Sequence, residues 1–348
     1  MRTTPTQLAP APDKPAHPLV ALLSRAGLDW FLLALIGVVT LAYFFPDAGS
    51  KASPVPWKAI TTGGVALIFF FYGLRLSGEK LAAGLRNWRL HTVVQLTTFV
   101  LFPLLALAAR PFLTSEKGEL LWQSIFFLCT LPSTVSTSVV MVGIAGGNLP
   151  AAIFNASISS LIGIVVTPLW CSFILHTGTA DGQLWSLGLS LLWQVVLPVV
   201  AGVLLNRRFG HLAERHRQGL RLFDQLTILL IVFTSFCESF AEGVFRSYVP
   251  TDILALGVGM VALYFLIFGL IWGLSQLLGF SRPDRIVAIF CGSKKSLVHG
   301  SVLASLLFPG AALGALLLPL MLYHALQIIL ASIMAQQMGR REAVAEAA

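Results

Sequence analysis

Arg285-Ile-Val-Ala-Ile-Phe-Cys-Gly-Ser-Lys-Lys-Ser-Leu-Val-His-Gly-Ser-Val-Leu-Ala-Ser-Leu-Leu-Phe308 is apolar and long enough to cross a bilayer, for which roughly 20 residues suffice. Its middle is Gly292-Ser293-Lys294-Lys295-Ser296, which puts two adjacent ammonium groups where lipid tails belong. Each costs roughly 2.5–3.5 kcal/mol at a helix centre on insertion scales, so the pair must face other helices or a water-filled cavity. Glycine beside them offers a place to unwind, and backbone freed at membrane depth has to line protein or a cavity. An interrupted membrane helix with charge at its break is how secondary transporters build a substrate or ion site near the midplane.

The composition agrees. Of 348 residues, 56% are hydrophobic and 11% charged, against about 25% charged in an average soluble domain. The chain therefore reads as an all-α integral membrane protein with little mass outside the bilayer. The formal charge of +8 is no nucleic-acid footprint, because the arginines sit in short loops between apolar spans, where positive-inside bias accounts for them. Cys129, Cys171, Cys237 and Cys291 lie in apolar runs without a Cys-x-x-Cys pair, and read as reduced packing residues. Residues 1–27 read as a disordered cytosolic tail and 339–348 as a cytosolic C-terminal tail. There is no Gly-rich phosphate loop, His-Glu-x-x-His or Gly-x-Ser-x-Gly, so nothing argues for an enzyme.

Hydropathy predicts ten spans, near 28–45, 57–76, 91–109, 120–144, 149–175, 184–205, 222–240, 253–278, 285–308 and 311–334. With the N-terminus inside, the inner segments carry sixteen lysines and arginines and the outer segments five: Lys51, Lys58, Arg110, Lys117 and Arg246. That asymmetry places both termini in the cytosol. Span four is interrupted at Pro132 and span nine at Gly292, and each is followed by a glycine-containing turn and another span. Five spans per half (28–175 and 184–336) make the second half inverted, and matching interruptions in inverted halves point to a transporter's binding site.

Pro132 lacks an N–H and disfavours helix at Leu131. Ser133, Thr134, Ser136, Thr137 and Ser138 can cap a new half-helix, or offer neutral oxygens to a monovalent cation. Packing and back-bonding are the alternative for any one of them. Lys294 and Lys295 admit three readings. Snorkelling needs a nearby interface, yet Pro309 is about fourteen residues away, roughly 20 Å of helix. As structural cations they pair with half-helix carbonyls or with Glu238 or Asp224. As functional cations they attract an anionic substrate, helped by the N-terminal end of the following half-helix, and exchange a proton during transport. Ser293 and Ser296 flank them. Gln95, eight residues before the kinking Pro103, and Asn155 with Ser159 and Ser160 are candidate site walls. His299 is placed to relay protons or to hydrogen-bond within the bundle, and His324 with Gln327 reads as packing.

At these two breaks the chain resembles the bile acid:sodium symporter family (SBF-like), in its divergent YfeH-type branch among solute carrier family 10 relatives. Leu131-Pro-Ser-Thr-Val-Ser-Thr-Ser138, Gly146-Gly-Asn-Leu-Pro-Ala-Ala152, Ser157-Ile-Ser-Ser-Leu-Ile-Gly163 and Cys291-Gly-Ser-Lys-Lys-Ser-Leu297 carry the likeness. It implies ten transmembrane helices as two inverted five-helix repeats, with broken helices 4 and 9 crossing at the site, and a panel domain that moves against a core domain. It also implies sodium ligands at Thr137, Ser138, Ser160 and Gln95. Where sodium-coupled relatives have Glu-Thr-Gly-x-Gln-Asn, this chain has Phe290-Cys291-Gly292-Ser293-Lys294-Lys295, and a fixed ammonium repels sodium at short range.

The expectation is thus a secondary-active carrier in the inner (cytoplasmic) membrane, moving a small organic anion, with a lysine in place of one sodium ion. No cofactor is expected beyond sodium or a proton as coupling ion, and no partner beyond lipid and substrate. The alternatives are an ion exchanger on the same fold, or a non-transporting scaffold or calcium-homeostasis component.

Overall fold

The computed structural model describes residues 30–75, 87–113, 116–175, 193, 197–247, 249–308, 310 and 312–347. Every regular element among them is helical. In order they are α1 (Trp30–Phe44), the short α2 (Pro46–Gly49), α3 (Trp57–Arg75) and α4 (Trp88–Leu96). The π-helical turn Thr97–Leu101 joins α4 to α5 (Phe102–Ala109). Next come α6 (Glu116–Thr130), α7 (Ser136–Ile144), α8 (Leu149–Ile174), α9 (Leu197–Arg215) and α10 (Arg217–Ala241). The last four are α11 (Pro250–Leu277), α12 (Arg282–Gly292), α13 (Leu297–Leu307) and α14 (Leu313–Ala347).

Seven stretches among the described residues are long and apolar enough to span a membrane. The other three predicted spans fall short for separate reasons. The first is the 15-residue α1. The fourth is divided between α6 and α7, neither of which is long enough alone. Most of the sixth, residues 184–196, lies outside the described residues apart from 193, as does the 1–27 tail. At the C-terminus α14 runs on to Ala347, past the predicted end of span ten. Arg, Glu and Ala dominate that extension, and all three are strong helix formers.

The helices pack as two groups. α1, α2, α3, α9 and α10 form one, and α4 to α8 with α11 to α14 form the other. α10 makes much of the contact between them, touching both α13 and α14. Within the first group α3 and α9 approach backbone to backbone: a Cβ on Gly73 would lie 2.2 Å from the Val199 carbonyl, and one on Gly202 2.2 Å from the Phe70 carbonyl. Glycine is required at both places by space alone. In the second group Gly163 of α8 lets the Pro132 ring lie flat against that helix, where a Cβ would come within 2.7 Å.

Each chain break has an account of its backbone groups. A helix end leaves its last carbonyls without partners, and here they are answered one by one. Thr167 Oγ1 donates to the Thr130 carbonyl at 2.7 Å, and the Ser296 N–H donates to that of Pro132 at 2.9 Å. The carbonyls of Cys129 and Leu131 are taken by Lys295. On the other side, Ser296 caps α13 by accepting from the His299 N–H.

Candidate functional site

The two breaks lie against each other, joined by the Ser296 to Pro132 bond, and together they wall a cavity of about 550 Å³. Thr134, Val135 and Thr137 come from the first break, and Ser296, Leu297, Val298 and His299 from the second. Ile153, Ser157, His324 and Ile328 extend that wall. The opposite wall is made by the other helix group: Phe31, Ile68, Phe69, Tyr72, Arg75, Arg217, Gln218, Arg221, Asp224 and Gln225. The cavity therefore sits at the seam between the two groups.

Of the hydroxyls after Pro132, three lie together. Thr134 Oγ1 lies 2.8 Å from Thr137 Oγ1 and 2.9 Å from Ser138 Oγ. Ser159 Oγ accepts from the Ser133 N–H at 3.0 Å, while Ser133 Oγ is buried with no hydrogen-bond partner among the described residues. The Ser136 side chain lies outside the described residues. Ser160 turns back to the Ala156 carbonyl, and Gln95 donates to Asn155 at 3.3 Å. Of the four expected sodium ligands, Thr137 and Ser138 meet through Thr134. No hydrogen bond links Ser160 or Gln95 to them among the described residues. Asn155 and Ser159 are fully buried, behind the cavity wall rather than on it.

Gly292, Ser293, Lys294 and Lys295 do not line the cavity, and both lysines have 0% exposure. Lys295 Nζ donates to the carbonyls of Thr98, Cys129 and Leu131 at 2.8, 2.7 and 2.8 Å, one bond for each of its three N–H groups. The ring of Phe102 lies 4.0 Å from the same nitrogen, a cation–π contact. The Thr98 carbonyl is free for a sequence reason. In the π-helical turn Phe102 N–H bonds to Thr97, so Thr98 falls to residue 103, a proline with no N–H. Phe99, orphaned by the same proline, is served by the Trp170 indole at 2.9 Å.

The Lys295 backbone is clamped too. Gln327 accepts from its N–H and donates to its carbonyl, both at 2.8 Å, and Tyr323 donates to the Ser293 carbonyl at 2.7 Å. Among the described residues Lys294 Nζ makes one such bond, to the Thr137 carbonyl at 3.0 Å, directly behind the cavity wall.

Neither acid considered as a lysine partner reaches the breaks. Asp224 pairs with Arg75 at 3.1 Å and Glu238 with Lys51 at 2.5 Å. Lys51 is in an exposed loop, and Glu238 beside it raises its pKa. Each acid is held instead by a cation from another segment. His299 hydrogen-bonds Ser296 Oγ through Nδ1 at 3.0 Å, and the rings of Phe69 and Tyr72 meet it edge-on. It lies on the cavity, where the two helix groups touch.

Sequence reasoning missed Tyr72, Arg75, Arg217 and Arg221 as site residues, having counted the arginines only toward topology. The available signal was the spacing Arg217, Arg221, Asp224, which puts two cations and an acid on one helix face.

A model of the SBF-like CPA transporter family matches residues 29–340 of the chain. An uncharacterised protein of Pseudomonas aeruginosa is 40% identical over 321 residues, 92% of this chain and 96% of its own length. YfeH of Escherichia coli K12, provisionally named a symporter, is 36% identical over 315 residues, 90% of this chain and 94% of its own. The sodium/bile acid cotransporter 7 of Xenopus tropicalis is 31% identical over 319 residues, covering 90% and 93%.

Proposed function

The chain belongs to the SBF-like CPA transporter family, and on that premise we propose that it is a secondary-active carrier moving a small organic anion by alternating access. The observation that carries this reading is the position of the cavity. It lies at the seam of two helix groups, with both chain breaks on one wall and three arginines on the other. Such a site can be exposed to either side by moving one group against the other, without remaking either break.

The reading includes the finer architecture: ten helices in two inverted repeats, the α6–α7 and α12–α13 pairs being broken helices 4 and 9. On the positive-inside count the arginine end of the cavity faces the cytosol of a bacterial inner membrane, with both termini on that side. Lys295 takes the role of a bound sodium ion. Three carbonyl oxygens around one cation is the kind of coordination sodium would otherwise receive, and the ammonium makes it permanent. The coupling ion is then a proton, or sodium at the Thr134, Thr137 and Ser138 hydroxyls.

Counterflow tests the function. Purified protein in liposomes preloaded with a mixture of organic anions should accumulate labelled external anion well above protein-free liposomes. Imposed sodium and pH gradients then identify the coupling ion. Failure to exchange any anion under every gradient contradicts the carrier reading.

A further inference from the structure

We infer that the charged end of the cavity recognises an organic anion that also carries a hydrogen-bond donor, such as a hydroxylated carboxylate. Arg75, Arg217 and Arg221 take the anionic group, and Asp224 takes the hydroxyl. The inference rests on the carrier reading and assigns its substrate contacts.

Arg217 and Arg221 lie one turn apart on α10, with Asp224 three residues further on the same face. Arg75 enters from the end of α3 and bonds Asp224 Oδ2. Three guanidinium groups against one carboxylate leave this end of the cavity positive. The described residues provide Arg217 and Arg221 with no acidic partner within salt-bridge distance. Arg75 uses Nε on the Phe71 carbonyl and Nη2 on Asp224, so further N–H groups of its fork remain for an oxyanion.

The second half of the inference comes from the other carboxylate oxygen. Asp224 Oδ1 is buried in the cavity wall and accepts no hydrogen bond from the described residues. A buried acceptor left unmade is costly, and charged ones most of all. A ligand hydroxyl or amine beside the arginine-bound carboxylate supplies the missing donor. Phe69, Ile153, Leu297 and Ile328 then face the carbon body.

The test uses full-length protein in detergent and matched pairs of anions differing by a hydroxyl: propionate and lactate, succinate and malate, cyclohexanecarboxylate and quinate. Affinities are read by calorimetry, with binding confirmed by thermal shift. Wild type should bind the hydroxylated member of at least one pair tenfold more tightly or better. The Arg217→Gln/Arg221→Gln protein, altered at two exposed side chains, should lose tenfold or more for both members and keep the preference. Asp224→Asn should lose the preference while still binding anions.

Equal affinities within every pair, or no binding by any of the six, overturn the inference. So does unchanged affinity in the double arginine variant. If wild type exchanges anions by counterflow while the arginine variant binds them normally, the recognition assignment fails and the carrier reading stands. If wild type exchanges none, the carrier reading fails first.

Discussion

Lys295→Ala should melt far below wild type and be rescued by sodium. The substitution strips the donors that Lys295 gives to three buried carbonyls, those of Thr98, Cys129 and Leu131. Each unsatisfied group costs about 1–3 kcal/mol, so the carbonyl loss alone is several kcal/mol. Removing a buried ammonium returns part of its desolvation cost, and the net loss is put at about 3 kcal/mol. The oxygens left behind surround a space that held a cation, so sodium, but not choline, should restore much of the lost melting temperature. Wild-type melting should not respond to sodium at this position. Lys294→Ala, which frees the single carbonyl of Thr137, should cost about 1 kcal/mol and show no such rescue. Detergent melting curves across a sodium series read all three proteins. Stabilisation of wild type by sodium as large as that of Lys295→Ala would remove the ammonium from the role assigned to it.

Gly314→Leu should loosen the seam at the end of α10 away from Arg217. Gly314, in the first turn of α14, donates its N–H to Ser239 Oγ at 3.1 Å, at the end of α10 far from Arg217. A Cβ there would lie 2.5 Å from that oxygen and 3.1 Å from the Ser235 carbonyl. In the proposed alternating-access cycle this contact parts when the cavity opens on the other side. Overpacking it costs the closed state about 1–3 kcal/mol, a shift of roughly 5- to 150-fold in the balance of the two states. Hydrogen exchange should therefore rise at residues 235–241 and 313–317 while the carbonyl-bound breaks stay protected. Gly314→Ala should give a smaller change in the same direction. Wild-type exchange rates in Gly314→Leu would mean that this contact is not a gate.

Both breaks were legible in the sequence because their causes are local. A proline followed by hydroxyls, and a lysine pair beside glycine, both disfavour an uninterrupted apolar helix from within their own segment. The destination of each side chain was not legible, since that depends on pairings between distant residues. Lys294 and Lys295 look equivalent in sequence, yet one fills a cage of three carbonyls and the other makes one bond behind the cavity wall. The cage depends on Pro103, read in the sequence only as a kink, which frees the Thr98 carbonyl 197 residues away from the lysine. Gln327 and His324 read as packing. Gln327 instead holds the Lys295 backbone, and His324 lines the cavity and bonds Gln327 at 3.1 Å. Arg75 and Asp224 are 149 residues apart, so no spacing rule joins them. The arginines were also hidden by a sufficient simpler explanation, since positive-inside bias alone predicts basic residues at those positions.

The proposed carrier needs a cavity that each side of the membrane reaches in turn, and labelling of one cysteine tests this most directly. The four native cysteines are all buried, which keeps background reaction low. Ser157→Cys places a thiol on the cavity wall, in a helix whose backbone already contacts Tyr72 across the seam. Membrane-impermeant maleimide, applied to right-side-out and inside-out vesicles, should label it from both sides, with a transported anion slowing the reaction on each. Labelling from one side alone under every gradient and ligand, or from neither, contradicts the account.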